Sequence, residues 1–475
     1  VTTDARAFPQ DARAALQNVA LQGALTHLRE GFQVKRAAAF SAFPIGFESL
    51  REQGRAIRQS SLSRLDDLLI EFESRIVANG GQVHWARDAA EGREIVTRIL
   101  IESGARTVTK GKSMVTEEIE LNAHLAAHGI QPIETDLGEY IIQLRNEKPS
   151  HIVAPAFHLR RTDVEASFRA KHDMLPAARV LADRPSLVSE ARAILRRHFE
   201  SADAGITGAN FLVAETGTAI IVTNEGNGDL TRLLPRTHIV VAGIEKIVPR
   251  LEDASILLRL LTRSATGQEI SSYVSLMSGP KRAGDADGPE NFHVVLLDNG
   301  RSKLLGSPAQ EVLQCIRCGA CMNHCPVYGA IGGHAYGATY PGPLGGALDP
   351  GLDGLPKSYH LPNASSFCGR CDSVCPVKIP LTRIMRHWRN EAFAQGIPSR
   401  SFGFGLKLWG IAARRPLLYT RFAKTGAWLM RWIAGRKGHL RSFPILTGWF
   451  QVRDLPKPAA ESFQSQWRKR RSGQS

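Results

Sequence analysis

Residues 315–329 read CIRCGACMNHCPVYG, and the reading of this stretch decides what the C-terminal part of the chain is. Cys315, Cys318, Cys321 and Cys325 follow the spacing C-x2-C-x2-C-x3-C-P, which presents thiolates to a cubane iron–sulfur cluster. The two-residue gaps let one tight loop set three thiolates on three irons. The fourth cysteine, followed by Pro326, points away and serves a second cluster where there are two. Tetrahedral irons call for soft thiolate ligands, and this spacing supplies them. Structural zinc more often pairs two C-x2-C hooks than a triple ending in Cys-Pro.

The second cluster is foreshadowed in FCGRCDSVCPVKIP (367–380), where Cys368, Cys371 and Cys375 before Pro376 repeat the end of the same pattern. Crossed pairing predicts two ferredoxin-type [4Fe-4S] clusters. Cluster 1 takes Cys315, Cys318, Cys321 and Cys375; cluster 2 takes Cys325, Cys368 and Cys371 and is one thiolate short. Three residues before Cys368 stands Ser365, so a serine oxygen, water, a partner residue or a [3Fe-4S] core completes that site. All seven cysteines lie between Cys315 and Cys375. Without a secretory leader in the sequence, metal or cluster binding takes precedence over disulfides. Two clusters in one small domain point to one-electron transfer.

Upstream the pattern changes. Leu62, Leu65, Leu68, Leu69, Phe72 and Ile76 recur at helical steps up to Gly80 and Gly81, and a strand at 83–86 follows. A helix from Asp88 to Gly104 leads into a strand at 107–109. HIVA at 151, FLVA at 211, TAIIVT at 218, HIVVA at 238 and HVVLL at 293 read as further strands, with helices near 187–202 and 250–264 between them. This alternation predicts an α/β domain with a parallel sheet, and Gly217 in ETG predicts a hairpin between 211 and 223. The boundaries expected are a helical segment over 1–60, the α/β domain over 61–300, an α-helical ferredoxin-type domain over 301–396 and a basic helical tail over 397–475. The first 60 residues, broken by Pro9 and Pro44, read as packing alone.

Charge is concentrated in the tail. Residues 401–475 hold 15 Lys and Arg against two acids, which is +13 of the chain's net +15. Pro416 to Gly435 predicts a basic amphipathic helix, with Leu418, Phe422, Leu429, Trp432 and Ile433 beside Arg421, Lys424 and Arg431, suited to an acidic partner or an anionic membrane surface. No zinc-finger or RRM pattern accompanies the charge, so no nucleic-acid partner is expected. No apolar run is long enough to span a bilayer, and a cytoplasmic address is the expectation. No G-x-G-x-x-G joins a strand to a helix, so a dinucleotide site is unsupported. Small-anion candidates are Lys110, Lys112, Ser113, Glu215, Thr216, Gly217, Thr218, Asn224 and Gly226, and His334 and Tyr336 are candidates for hydrogen bonds to a cluster.

Three long runs carry a resemblance: IGGHAYGATYPGPLGGAL (331–348), GITGANFLVAETGTAIIVTNEGNGDLTRLLPRTHIVVAGIEKIVP (205–249) and KGKSMVTEEIELN (110–122). They resemble the iron–sulfur protein B family of the bacterial lactate-utilization system. The resemblance implies an α/β domain of the LUD type, similar to sugar-phosphate isomerase and formyltetrahydrofolate cyclo-ligase folds. It implies an electron-carrier role in oxidising L-lactate to pyruvate. The companions implied are a cysteine-rich, heterodisulfide-reductase-like protein and a smaller LUD-type protein. Open alternatives are an iron–sulfur subunit of another 2-hydroxy-acid or glycerol-phosphate dehydrogenase, and a redox-sensing nucleic-acid-binding regulator.

Overall fold

Among the described residues, the β-branched runs form ten strands before residue 300: β1 Gln82–Ala86, β2 Thr107–Gly111, β3 Gln131–Glu134, β4 Ala204–Thr207, β5 Phe211–Val213, β6 Thr218–Thr223, β7 Thr237–Gly243, β8 Ile247–Val248, β9 Tyr273–Met277 and β10 Asn291–Leu297. The structure, a computed structural model, describes residues 7–43, 46–111, 113–442, 450 and 453–473. Pro44 and Lys112 lie outside the described residues.

Six strands make a wholly parallel sheet in the order β1-β10-β7-β4-β2-β3. Its central strands are apolar on both faces, as parallel strands covered on both sides must be. Ile239, Val241, Val295 and Leu297 meet Val96 and Leu100 of helix Ala89–Glu102. The alternate residues Val240, Ala242, Val294 and Leu296 meet Leu68, Phe72 and Ile76 of helix Leu65–Ala78. Asp88 caps the first of these helices by accepting from the Glu91 N–H at 3.0 Å.

A second sheet has the order β8-β5-β6-β9. The expected hairpin is its centre, since β5 and β6 are antiparallel. Gly217 turns it at φ 60°, where an added Cβ would lie 2.7 Å from Arg75 Cβ and Ile76 N. One face of this sheet joins the larger sheet's core through Leu212 and Ile221. The other, through Phe211, Val213 and Ile220, shares a core with Leu257, Val312, Ile316 and Leu344. The apolar interior of the α/β region therefore continues into the cysteine region.

Several sequence expectations change. The helix read from Ser60 to Gly80 is two, Phe47–Ser63 and Leu65–Ala78, broken at Arg64 with φ −129° and ψ 33°. HIVA at 151 is loop rather than strand, because His151 bends it: its Nδ1 accepts from the N–H groups of Val153 and Ala154 at 3.0 and 3.1 Å. β3, β4 and β9 were not anticipated. β4 is short and starts AGIT, and a Cβ on Gly205 would come within 1.8 Å of the Thr231 carbonyl oxygen.

Packing divides the chain into two compact units, one ending at Ala392 and one beginning at Phe393. After residue 300 the first unit is built of short helices, among them Ala320–Asn323, Tyr328–Ile331, Gly342–Leu352 and Arg370–Val374. The second holds helices Arg400–Ala413, Pro416–Ala434 and Phe463–Arg471. Helix Pro416–Ala434 matches the expected tail helix, and Phe422, Trp428 and Trp432 on it are exposed.

Candidate iron–sulfur site

The two cysteine motifs have the same local backbone. On either side of Cys318, Arg317 has φ 59° and Gly319 φ 72°; on either side of Cys368, Phe367 has φ 54° and Gly369 φ 75°. Left-handed geometry at a non-glycine residue is strained, so its recurrence marks a constrained loop. Each loop then enters a short helix, capped by Gly319 and by Gly369. The likeness extends one residue pair back. The Arg317 N–H donates to Cys315 Sγ at 3.3 Å, and the Phe367 N–H donates to Ser365 Oγ at 3.2 Å. Ser365 thus holds in the second loop the position that Cys315 holds in the first.

None of the seven cysteines is in a disulfide. Cys315, Cys318, Cys321 and Cys375 line one cavity, closed by Ile316, Leu344, Val377 and Leu381. No three metal-ligating side chains among the described residues group tightly enough for a single ion. Burial raises the Cys318 thiol, and the proximity of Cys375 and Cys315 raises it further. Cys375 is pushed up to about 11, again by burial first, with Cys315 adding to it. On the other side Cys325 is raised by burial and by Cys368, and Cys371 by burial, Asp372 and Cys325. Such thiols ionise only beside strong positive charge, which iron provides. Backbone N–H groups already point at the sulfurs: Tyr328 N donates to Cys325 at 3.5 Å and Ile379 N to Cys375 at 3.4 Å.

A buried ionic network joins the first loop to the parallel sheet. Arg301, fully buried, donates to Glu118 at 2.7 Å and to Glu245 at 2.6 Å. Arg317 reaches Glu245 at 3.1 Å and lies 4.6 Å over the Tyr340 ring, while the Tyr340 hydroxyl donates to Glu118 at 2.7 Å. Glu245 is held near 2, the two arginines outweighing its burial. Next to it Lys246 is pushed down to about 7, by burial and then by Arg317.

The N-terminal helices do more than pack. Arg58 donates to the carbonyls of Leu313 at 2.9 Å and Ile247 at 2.8 Å. Arg36 donates to Val374 O at 2.7 Å, and Arg51 to Cys375 O at 2.7 Å. These arginines pin the backbone on which cysteines are mounted. Composition alone gave no sign of it, since each looks like any basic residue on a helix.

The other candidates separate. Tyr336 is buried, its hydroxyl has no partner among the described residues, and Cys325 and Cys321 are close enough to raise it beyond the effect of burial. An orphan donor beside two thiols suits a sulfur acceptor. His334 instead hydrogen-bonds the Lys148 carbonyl at 2.7 Å. Lys110 is consumed by Glu117 and Glu134, both at 2.7 Å. Glu215 accepts from Leu251 N at 2.7 Å, and Thr216 and Thr218 bond one another at 2.8 Å within the hairpin. Gly226 caps helix Asn227–Leu233. Ser113 and Asn224 line a separate cleft at the C-terminal end of the parallel sheet.

Comparison with known proteins bears directly on this arrangement. Residues 69–297 match the LUD domain and residues 311–379 the 4Fe-4S dicluster domain. The chain is 41% identical over 469 residues to lactate utilization protein B of Bacillus pumilus, covering 98% of each chain. The chain belongs to the lactate utilization protein B family. Within that family it is also 40% identical over 461 residues to the Bacillus subtilis protein, covering 96% of this chain and 95% of that one. An uncharacterized electron transport protein of Escherichia coli, YkgF, is 42% identical over 431 residues, covering 89% of this chain and 88% of its own. The family's architecture, a LUD α/β domain followed by a helical ferredoxin-type region, is the one observed, and iron–sulfur clusters are its cofactor.

Proposed function

We propose that this chain is the iron–sulfur electron carrier in oxidation of L-lactate to pyruvate, acting with companion proteins in the cytoplasm. The observation that carries the reading is the crossed gathering of cysteines: Cys375 from the second motif shares a cavity with three from the first. Membership of the lactate utilization protein B family supplies the metabolic setting.

Cluster 1 is a [4Fe-4S] core on Cys315, Cys318, Cys321 and Cys375. Cluster 2 rests on Cys325, Cys368 and Cys371, with Ser365 as the fourth ligand, its position supported by the matching N–H contact to its oxygen. Bound clusters supply reversible one-electron redox chemistry. The chain's own part is to hold the thiolates, point N–H groups at sulfur, and keep water from cluster 1 with Leu344, Val377 and Leu381. Cys368 is exposed and Cys371 buried, so the second loop is the side at which electrons enter or leave.

The partners follow from the same reading: a cysteine-rich, heterodisulfide-reductase-like protein and a smaller LUD-type protein, docked through the tail. In the tail Trp409, Phe422, Trp428 and Trp432 are 62 to 73% exposed amid a charge of +13. Large aromatic contacts with complementary charge suit an acidic protein surface. No helix among the described residues is long and apolar enough to cross a membrane. Truncation after Gly396 weakens binding to the companions while both clusters remain; normal companion binding with loss of sedimentation on anionic vesicles transfers the tail to a membrane surface.

The deciding experiment is anaerobic purification with the companions and EPR during titration with L-lactate. Cluster signals that lactate reduces only in the presence of the companions support the relay. Robust lactate oxidation by this chain alone overturns it.

A further inference from the structure

The C-terminal ends of the parallel strands open into a cleft that the electron-carrier role leaves unused. It runs from Ser113 after β2, past Asp136 after β3 and Gly208 after β4, to Val241 in β7, and its floor includes Arg317 and Tyr340 from the first cysteine region. Crevices at this edge of a parallel sheet are where open α/β folds take ligands.

Two buried polar atoms in its lining are unsatisfied, and a buried lysine lines the same cleft. Arg317 is 8% exposed and its Nη1 has no hydrogen-bond partner among the described residues. Thr223 is 4% exposed and its Oγ1 is likewise unpartnered. Lys246 is 5% exposed, and its ammonium forms no ion pair among the described residues. A buried guanidinium N–H and a buried hydroxyl left without partners are costly, and with Lys246 lining the same cleft the grouping calls for an anion with lone pairs to share. Glu245 does not meet the need, because Arg301 and Arg317 already divide its two oxygens. Asn210 adds a further donor: its Oδ1 accepts from Val222 N at 2.9 Å, which turns its NH2 group to other use. Val153, Val222, Val241 and Leu261 make the surrounding wall apolar.

We propose that this cleft binds a short-chain monocarboxylate, of the 2-hydroxy or 2-oxo acid class, with its carboxylate on Lys246 and Arg317, its 2-oxygen at Thr223 and Asn210, and its alkyl end on the valines. The proposal rests on the electron-carrier reading only in naming the acid. Three carboxylates, Asp136, Glu139 and Glu225, also line the cleft, so attraction for an anion is confined to the Lys246 and Arg317 end. Arg317 lies between Cys315 and Cys318 and its N–H touches Cys315 Sγ, so occupancy is felt at the first cysteine loop.

The test is calorimetric titration of the full chain, purified anaerobically with its clusters, with sodium pyruvate, sodium L-lactate and inorganic phosphate separately. One saturable site per chain for pyruvate or L-lactate is expected, together with a change in the EPR line shape of one cluster. Lys246→Met weakens binding tenfold or more while iron content is unchanged. Thr223→Val, outside the cysteine loops and nearly isosteric, weakens it severalfold and decides the matter if Lys246→Met loses iron. The proposal is overturned if the wild-type chain, clusters intact, binds neither acid, if Thr223→Val and an iron-replete Lys246→Met bind as the parent does, or if phosphate binds more tightly than both acids. Failure with intact, reducible clusters removes the site and leaves electron transfer standing; a chain that assembles no clusters fails the electron-carrier reading instead.

Discussion

The loop around Cys318 and the loop around Cys368 share a backbone but differ in what surrounds them. The first is set against the parallel sheet by the Arg301, Glu118, Glu245 and Arg317 network, with Cys318 7% exposed. The second leaves Cys368 exposed and is braced by two arginines nearer the surface: Arg389 donates to Pro362 O at 3.0 Å and to Ser365 O at 3.1 Å and lies 4.1 Å over Phe367, and Arg386 lies 5.1 Å over the same ring. A repeated motif has thus been given one insulated copy and one open copy. Insulation favours a stable, fixed cluster, whereas exposure shortens the path to a redox partner and invites loss of iron.

The largest effect should come from breaking the insulated copy at its ligands. Cys318→Ala is expected to lower iron from about 8 to about 4 per chain and to abolish one cluster signal by EPR. Unchanged iron and sulfide in that variant would falsify the crossed assignment. Next in size is the network beneath it. Arg301→Met leaves buried Glu118 without its cationic partner and Glu245 with Arg317 alone, and should cost about 3–5 kcal/mol in urea unfolding. The counterpart at the open copy, Arg389→Ala, should cost about 1–2 kcal/mol. Similar losses for the two would mean that the copies are equally supported.

Ser365→Cys sharpens the comparison from the other side. On air exposure the parent should fall from about 8 to about 7 irons, with a three-iron EPR signal; the variant should keep its full complement. Equal air sensitivity would show that the serine corner is not the weak point.

These differences explain what was legible in the sequence. Cysteine spacing depends on local loop geometry, so both motifs and the position of Ser365 could be read directly. The hairpin at Gly217 and the parallel strands at 238 and 293 were equally plain, because turn residues and β-branched runs act locally. What could not be read depends on distant partners. Arg58, Arg301 and Glu245 are ordinary residues in their own segments and acquire meaning only where three segments meet. HIVA at 151 has strand composition, yet His151 hydrogen-bonds its own backbone and a buried Asn323 at 2.9 Å, and tertiary context prevailed over propensity.

His151 also gives the insulated copy a pH dependence. Burial lowers it to about 4, partly opposed by Asn323, against an ordinary value near 6.5. Between those values the unfolded chain binds a proton that the folded chain does not. Its stabilising contribution is therefore complete above pH 6.5 and declines as pH falls towards 4, by at most about 1.4 kcal/mol per unit. Anaerobic urea unfolding at pH 6.5 and 5.5 should show a smaller loss in His151→Gln than in the parent. An equal loss would assign the acid sensitivity to other groups.

The smallest effect expected is at Tyr336, whose hydroxyl lies near two sulfurs, since Cys325 and Cys321 each raise it. Its ring is fixed independently of the hydroxyl, edge-on to Phe8 at 5.9 Å and stacked on Tyr328 at 6.2 Å. Tyr336→Phe should therefore keep the fold and the iron while removing one donor. A hydrogen bond to sulfur stabilises the reduced, more negative cluster, so its loss lowers the reduction potential. At roughly 1 kcal/mol for such a bond and 59 mV per tenfold change for one electron, the shift is about 40 mV. On the proposed crossed assignment Cys325 serves the second cluster, and it raises Tyr336 more than Cys321 does, so in a redox titration followed by EPR that cluster should shift and the other should not. A shift confined to the cluster on Cys318 would place the hydroxyl on the insulated side, and no shift in either would leave Tyr336 a packing residue.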